Sequence, residues 1–520
     1  MNKNIIEKIK IIIDKNKFLL FSFGLILMNI LFLNSIIIEK TDKNFDNIYI
    51  IILTISVLML LGITLFLFIS KKKKIKIENK FLIIITIMGI MYMIAIPIGL
   101  VPDEKSHFLR AYEISEGHLI SDKNENGNGG RVLPIEAKNI VADTTDYKYS
   151  NIIENFNIKT SNNKEFLIFS NTSLYSFICY LPQTIGIFIA KTFNLSMLET
   201  AYLGRIFNFI TWTALIYFSI KFIPCYKNFI IFICLLPITM QEAISLSPDA
   251  LTIAISISLI SFVLYMVKTK KGKMTKKEFA IMSILAIIMS LCKIVYLPLC
   301  LLLYLIPAER FKSKKDKYIK IGILAFIVII TNIVWLKIAS QYLVEFQPGV
   351  DSFQQVKNIL AHPFNYIQIL ANTILTKSDF YLFGMLGKSL EWFNINLPYL
   401  YSLVTFILLV ITIQKDTQNE QFNNNGIKIN VLLILVCTVL LIFTSLYFIW
   451  TKVGNLVIEG VQGRYFIPLL LLLPILLTKA KEKKNYPNKK LDINYNENYI
   501  LMFLIIQNMF ALYTIFYTHI

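Results

Sequence analysis

The residues best suited to chemistry stand together in positions 101–112, which read VPDEKSHFLRAY. This stretch follows a long apolar run, so the adjacent carboxylates Asp103 and Glu104 stand where a membrane span meets water. Ionised groups at that depth are costly to desolvate, so they are normally found in an ion pair, bound to a metal or in a functional site. On a helix that restarts there, His107 and Arg110 share a face with Asp103, because residues three and four apart are neighbours. The stretch then offers an acid, a base and a cation at one membrane surface.

Further polar groups stand at the ends of other apolar runs. They are Arg205, Asp249 in the sequence SPDA, Lys293 between two short apolar runs, and Gln462, Arg464 and Tyr465 in the sequence QGRYF. Each has a plain structural alternative, since a carboxylate after a proline is a good helix cap and long cations snorkel to the headgroups. Their expected convergence on one face of the membrane favours a functional site.

Glycosyl transfer from a lipid-linked donor is the chemistry that this set suits. A carboxylate, Asp103 or Glu104, would take the proton of an acceptor hydroxyl. Cations would hold the departing phosphate and stabilise its growing charge, and Arg464, Lys293 and Arg205 are suited to this. Asp103 and Asp249 together could also hold a divalent metal such as Mg²⁺ or Mn²⁺, which prefer oxygen ligands.

The composition defines the class of protein. Of 520 residues, 56% are hydrophobic and only 16% are charged, and the mean hydropathy is +0.61. Many separate apolar runs reach the roughly 20 residues that a helix needs to cross a bilayer. We therefore expect an all-α polytopic membrane protein. The six cysteines lie in or beside apolar runs and form no CxxC pair, so they predict neither disulfides nor a zinc site.

The net charge of +19 is concentrated in short loops, near residues 71–74, 268–277, 310–320 and 479–490. This distribution is typical of cytoplasmic loops and argues against nucleic acid as a partner. The long segment 102–171 holds eight Lys or Arg and eleven Asp or Glu, and we expect it outside. The apolar run 174–190 would place the basic loop 268–277 outside if it crossed, so it is predicted to lie in the interface.

This assignment predicts thirteen spans across a bacterial plasma membrane. The N-terminus would lie in the cytoplasm, and the site would lie on the extracytoplasmic face. They are residues 17–38, 48–70, 81–101, 201–223, 229–245, 250–267, 279–291, 294–305, 318–338, 397–413, 431–450, 465–477 and 499–517. The two spans around Lys293 are short, and short discontinuous helices often mark a binding site.

The chain divides into three regions on this basis. Residues 1–80 form a two-span extension with a basic loop, and residues 479–520 a second basic loop with the last span. Residues 81–478 form the core, which includes the outer loop 102–171, the interfacial segment 172–191 and the outer loop 339–396. No nucleotide-binding or hydrolase motif occurs in the sequence.

The string PDExxHxxRAY at residues 102–112, with SPDA at 247–250 and QGRYF at 462–466, resembles the signature of an uncharacterised bacterial family of predicted multi-span membrane proteins. The resemblance runs from about Phe81 to Leu477. That family in turn resembles the GT-C superfamily of integral membrane glycosyltransferases. This implies an acidic catalytic residue on the first large outer loop, which maps to Asp103 or Glu104, and a polyprenyl-phosphate sugar as donor. Two extra spans before Asp103 and the lack of a large soluble C-terminal domain depart from many GT-C enzymes.

These observations lead to one main hypothesis. The protein would be an inverting GT-C-like glycosyltransferase that moves a sugar from a polyprenyl-phosphate donor to a cell-envelope glycan or lipid. Asp103, Glu104 and His107 would be catalytic, and Arg464, Lys293, Arg205 and Arg110 would bind the donor phosphate. Asp249, Gln462 and Tyr465 would support them. The alternatives are a transporter or flippase for lipid-linked sugars, a polysaccharide polymerase, or a non-catalytic membrane scaffold.

Overall fold

The computed structural model describes residues 46–139, 156–268, 272–417, 424–478 and 497–519, with most of 17–27 and four residues between 148 and 154. It is 74% helical, with five short strands among the described residues. The prediction of an all-α membrane protein is therefore confirmed.

The first half of the chain begins with long helices and continues with several short ones. Its α-helices are α1 (Asp46–Lys72), α2 (Ile77–Ala95), α3 (Glu104–Ser115), α4 (Glu136–Asn139), α5 (Ser170–Ser173), α6 (Leu181–Thr192), α7 (Met197–Phe222), α8 (Lys227–Cys234), α9 (Pro237–Ala243) and α10 (Asp249–Lys268).

The second half alternates α-helices with two long 3₁₀ helices. Its α-helices are α11 (Lys276–Cys292), α12 (Lys314–Ala339), α13 (Ser352–Ala361), α14 (Pro363–Met385), α15 (Tyr399–Thr417), α16 (Asn425–Ile449), α17 (Leu473–Leu477) and α18 (Glu497–His519). The first long 3₁₀ helix is Ile294–Leu305 and the second is Gly463–Leu472; short 3₁₀ turns occur at Phe177–Tyr180, Ala308–Arg310 and Ser340–Tyr342.

Seven helices in the described residues are long and apolar enough to cross a membrane, namely α2, α7, α10, α12, α15, α16 and α18. Of these, α10 and α18 are the most buried and occupy the centre of the bundle. The total of thirteen crossings stays a prediction, and much of the first predicted span, 17–38, lies outside the described residues.

The structure corrects the span predicted at residues 229–245, which is not one helix. It is broken into α8 and α9 at Leu235 and Leu236, because Pro237 opens α9 and has no N–H to continue the earlier helix. The amide Nδ2 of Asn508 in α18 donates to the carbonyl of Leu235 over 2.7 Å. A carbonyl released by a broken helix inside a bundle needs such a partner.

Residues 276–305 fold back on themselves as a hairpin with Lys293 at its tip. The Sγ atom of Cys300 lies 4.0 Å from the carbonyl oxygen of Ala286, and each residue is seven positions from Lys293. At the open end, Met274 N donates to the carbonyl of Arg310. The predicted break at Lys293 is thus present.

The 3₁₀ winding explains how the second arm of this hairpin matches the first with fewer residues. At roughly 1.5 Å per residue, the 17 residues of α11 rise about 26 Å. At roughly 2.0 Å per residue, the 12 residues of the first long 3₁₀ helix rise about 24 Å. The second long 3₁₀ helix, followed by α17, replaces the α-helical span predicted at 465–477 in the same way.

The segment 102–171, which the sequence predicts to be an outer loop, contains a small antiparallel sheet that the sequence did not predict. Strand β2 (Gly129–Pro134) lies between β1 (Asp122–Lys123) and β3 (Lys164–Ile168). The side-chain oxygen Oδ1 of Asn124 accepts hydrogen bonds from the backbone N–H groups of Asn126 and Asn128, and these bonds close the turn between β1 and β2. A sheet of two strands also forms in the second predicted outer loop, between β4 (Ser389–Leu390) and β5 (Ile395–Asn396).

Candidate functional site

Asp103 stands in a strained turn between α2 and α3. Its backbone is left-handed, with φ of 61° and ψ of 9°, a conformation that few residues other than glycine adopt readily. Its carbonyl accepts the N–H of His107 over 3.0 Å, which starts α3. The side chain is half-buried, and Asn171 Nδ2 donates to its Oδ1 over 3.2 Å. The turn therefore holds one carboxylate at the edge of the buried region.

Asp249 lies at the centre of the site and carries two cations. It is the first residue of α10, and its backbone N–H donates to Ser247 Oγ over 3.1 Å. Its Oδ1 is paired with Lys293 Nζ, and its Oδ2 lies 3.1 Å from Arg464 Nε without the angle of a hydrogen bond. The carboxylate thus joins the hairpin tip to the second long 3₁₀ helix.

Two buried amides hold the loop that precedes Asp249. Asn208 Nδ2 in α7 donates to the carbonyls of Ser245 and Ser247 over 2.8 and 3.2 Å. Gln183 Nε2 in α6 donates to the carbonyl of Leu246 over 3.2 Å. Because these donors come from two other helices, the position of Asp249 is set by the bundle as well as by its own turn.

Aromatic rings enclose the cation of Lys293. Its Nζ lies 4.6 Å from the ring centre of Tyr465 and 5.7 Å from that of Tyr175. The hydroxyl of Tyr296 donates to the carbonyl of Tyr465 over 2.8 Å, which ties the two long 3₁₀ helices together. Tyr465 therefore lies against the cation of Lys293, and its supporting role stays a prediction.

Glu242 in α9 is a third carboxylate of the site, and the sequence analysis missed it. Its side chain is fully buried, and its Oε1 lies 3.6 Å from Arg464 Nη1. Neither oxygen receives a well-formed hydrogen bond from the described residues, although the Gln241 amide lies close enough to favour its charge. A charged residue inside an apolar run is itself a signal, and here it was absorbed into the predicted span 229–245.

Glu104 and Arg205 lie apart from these groups, in a buried pair of their own. Arg205 Nε and Nη2 donate to the two oxygens of Glu104 over 2.8 and 2.7 Å. The same oxygens accept the backbone N–H groups of Leu246 and Gly99 over 3.0 and 2.7 Å. Arg205 also donates to the carbonyl of Ile96. The side chains of Glu104 and Arg205 use their hydrogen-bonding groups on each other and on the backbone. The pair therefore fixes the turn at Asp103, and Glu104 has no oxygen left to take a proton from an acceptor hydroxyl.

Arg110 also faces away from Asp249. Its Nη1 pairs with Glu113 and lies 3.1 Å from Ser121 Oγ, and Arg131 Nε donates to the other oxygen of Glu113 over 2.7 Å. This buried network fastens the small sheet to α3. Neither Arg110 nor Arg205 is placed by the structure with Lys293 and Arg464.

His107 lies beside the site and is held by an aromatic hydroxyl. Its Nδ1 is 2.8 Å from the hydroxyl of Tyr180, and its ring contacts that of Tyr175. Burial, together with the charges of Lys293 and Arg464 and against the opposing effect of Asp249, lowers the pKa of His107 to about 3. His107 is therefore neutral near pH 7 and contributes hydrogen bonding rather than charge.

The electrostatics of Asp103 come from several neighbours at once. Burial raises the pKa of Asp103 above its usual range, and the charge of Asp249 raises it too. Arg464, Lys293 and the hydrogen bond from Asn171 act in the opposite direction. A half-buried carboxylate with a raised pKa is a stronger base than a solvated one, which suits proton abstraction.

A metal between Asp103 and Asp249 stays a prediction. Both oxygens of Asp249 already face cations, and within the described ranges no three His, Cys, Asp or Glu residues form a group that could hold an ion.

Close backbone packing positions Arg464. The residue before it, Gly463, lies against the last turn of α14, where an added Cβ would be 2.3 Å from Met385 N and 2.5 Å from the carbonyl oxygen of Tyr381. Gln462 begins this 3₁₀ helix, and its buried Oε1 has no hydrogen-bond partner among the described residues. The glycine of the QGRYF string is thus required by space.

Comparison with known families decides what kind of chain this is. A family model described as "Predicted membrane protein (DUF2142)" matches residues 86–473, about three quarters of the chain. The chain belongs to this DUF2142 family. The extent agrees with the resemblance seen from about Phe81 to Leu477, and membrane location follows from it. No curated protein and no solved structure matches the chain.

Every charged residue gathered around Asp249 falls inside the part matched by DUF2142. These are Asp103, Glu242, Lys293 and Arg464. The helices α1 and α18 lie outside it.

Proposed function

We propose that this protein is a GT-C-like membrane glycosyltransferase that uses a sugar linked to a polyprenyl phosphate. The observation that carries the proposal is the placing of Lys293 and Arg464 on one buried carboxylate, next to the half-buried base Asp103. Two fixed cations suit a phosphate at the membrane surface, and a nearby carboxylate suits an acceptor hydroxyl.

The reaction would be a single displacement with inversion at the sugar. The acceptor oxygen forms a bond with the anomeric carbon while the bond from that carbon to the phosphate oxygen breaks. The acceptor proton goes to Asp103, and the electron pair leaves with the lipid phosphate. Lys293 and Arg464 hold that phosphate as its charge grows. The acceptor is an envelope glycan or lipid, since the donor is presented at the membrane.

In this proposal, three of the residues first grouped as catalytic or phosphate-binding take other roles. Glu104 and Arg205 hold the turn that presents Asp103, because their donors and acceptors are used by each other and by backbone groups. Arg110 holds the outer sheet. The base is therefore Asp103 alone.

The test is transfer by the purified, reconstituted protein from labelled polyprenyl-phosphate sugars to an extract of envelope glycans. Asp103→Asn should lower transfer by roughly 10²–10⁴-fold, as loss of a general base does. Asparagine is well suited to the test because it also tolerates the left-handed backbone. Glu125→Gln, the same charge change at an exposed position of the same loop, is the control.

Transfer that survives in Asp103→Asn would remove the base from the proposal. Binding of the donor without transfer by either protein would favour the alternative, a transporter or flippase for lipid-linked sugars. Growth of long chains from a lipid-linked primer would identify a polymerase.

A further inference from the structure

The site holds more negative than positive groups. Among the described residues, the carboxylates of Asp103, Glu242 and Asp249 face two cations, those of Lys293 and Arg464. His107 adds no charge near pH 7 because burial lowers its pKa to about 3. A phosphodiester that enters this buried region brings one more negative charge. Four anions against two cations in a poorly hydrated place are strongly disfavoured unless one of them is neutralised.

The three carboxylates differ in how well their charge is stabilised. Asp249 has a cation at each oxygen, and Asp103 is half-buried with a hydrogen bond from Asn171. Glu242 is fully buried, receives no well-formed hydrogen bond from the part of the chain that the structure describes, and has its cation, Arg464, at 3.6 Å. If Arg464 turns to a ligand, Glu242 loses the contact that stabilises its charge.

We propose that a phosphodiester binding to Lys293 and Arg464 displaces Glu242 from Arg464, and that Glu242 takes up one proton from solvent as it does so. The inference rests on the proposed function for the identity of the donor. It makes Glu242 a positioning residue, which holds Arg464 in the empty site and releases it to the phosphate.

The other ionisable groups near α9 are occupied elsewhere. Glu391 and His519 form a buried pair with Nε2 and Oε1 2.8 Å apart. Glu391 reaches α9 through its backbone N–H, which donates to Gln241 over 2.7 Å. The groups that act on Glu242 are therefore Arg464, Asp249 and Lys293, with Gln241 beside it.

The experiment measures the affinity of a short isoprenyl phosphodiester of a hexose between pH 6 and 8.5. A phosphodiester suits the purpose because its own charge does not change in this range. Uptake of one proton makes the dissociation constant of the wild type rise by about tenfold per pH unit on the alkaline side. Glu242→Gln should bind with little pH dependence. Glu391→Gln, which changes another fully buried carboxylate, should keep the wild-type dependence.

A direct measurement on the wild type covers the case in which Glu242→Gln does not fold. Calorimetry on the alkaline side of this range, in two buffers of different ionisation enthalpy, should give about one proton taken up for each ligand bound, and a value of zero there would overturn the proposal. A pH dependence that persists in Glu242→Gln would overturn it as well. So would a dependence that is lost in Asp103→Asn instead.

Two further outcomes separate this inference from the proposed function. Phosphatidylglycerol vesicles supply the same phosphodiester chemistry from a lipid headgroup. If the headgroup binds with the same proton uptake and the glycosyl donor does not compete, Glu242 acts as inferred and the donor assignment fails. If the wild type binds neither, both proposals fall.

Discussion

Asp249 forms ion pairs with two cations at once, so the side chains of Lys293 and Arg464 are held in place when the site is empty. Breaking a buried pair leaves an uncompensated charge that costs about 3–5 kcal/mol. A ligand anion is therefore expected to join Asp249 on these cations rather than to replace it. The site is arranged before the ligand arrives, which is the condition for electrostatic stabilisation of a developing charge.

The shape of the Arg464 side chain should matter as well as its charge. Arg464→Lys keeps the charge but loses the planar fork that contacts Glu242 and Asp249 together. We expect donor binding to weaken roughly tenfold with little change in melting temperature. Arg131→Lys, the same change in the outer sheet, should leave binding as it was. Equal affinity of Arg464→Lys and the wild type would show that a point charge is enough.

The buried His107 should make the fold sensitive to acid. Its pKa is lowered from 6.5 to about 3 on folding, so the unfolded chain takes up the proton first as the pH falls. The stability it contributes is present above pH 6.5 and is lost between about pH 6.5 and 3. The melting temperature of His107→Gln should therefore fall less steeply in this range than that of the wild type. The exposed His118→Gln should follow the wild type, and equal slopes for all three would contradict the argument.

Sequence pattern was informative for residues that end an apolar run. Asp103, Asp249, Lys293 and Arg464 all stood at such ends, and the structure brings them together. Glu242 was hidden inside a run that Pro237 breaks. Asn171 at the end of the predicted loop and Tyr175 at the start of the apolar run 174–190 gave no signal, because ordinary polar and aromatic residues have no charge or spacing that marks them as part of a site.

At the scale of elements, the two long 3₁₀ helices could not be predicted from the lengths of apolar runs, because those lengths were interpreted as α-helices. Each contains a proline, Pro298 or Pro468, and lacks one N–H that an α-helix would use. The break at Lys293 could be predicted because a charged residue stood between two short apolar runs. The conformation of the arm that follows could not, since apolar periodicity does not separate a 3₁₀ helix from an α-helix.

The contact between α14 and the second long 3₁₀ helix offers a matched pair of variants. Gly463→Ala would place a Cβ 2.3 Å from Met385 N, and backbone atoms cannot yield to it. We expect a loss of about 1–3 kcal/mol in unfolding free energy and a displaced Arg464. Gly384→Ala lies across the same contact but meets Gly463 at an ordinary 3.8 Å. It should retain the wild-type melting temperature and donor affinity, and equal behaviour of the two variants would contradict this packing.

At the scale of the whole molecule, the ends of many helices meet around the site. The start of α7 reaches the end of α2 through Arg205 and Ile96, and the end of α18 reaches the loop after α14 through His519 and Glu391. At the opposite ends, Arg310 pairs with Glu278, which joins the start of α11 to the described basic segment near 310–320. Which end faces the cytoplasm follows from the excess of Lys and Arg and is a sequence prediction.

Labelling of single cysteines would test that orientation. Lys123→Cys in the outer sheet should react with a membrane-impermeant maleimide in intact cells, and Lys273→Cys in the basic loop should react only after lysis. Both positions are exposed, whereas the six native cysteines are buried or half-buried. Reaction of Lys273→Cys in intact cells would invert the topology.

The long 3₁₀ helices have a consequence for how spans are counted in such chains. Hydropathy methods average over about 19 residues, a window that assumes the α-helical rise. A 3₁₀ helix covers the same depth with about a quarter fewer residues than an α-helix. Both long 3₁₀ helices accordingly contain fewer residues than any of the seven candidate spans. Measuring each apolar run in ångströms of rise rather than in residues would recover these arms. A count that misses one such arm would place every segment after it on the wrong side of the bilayer.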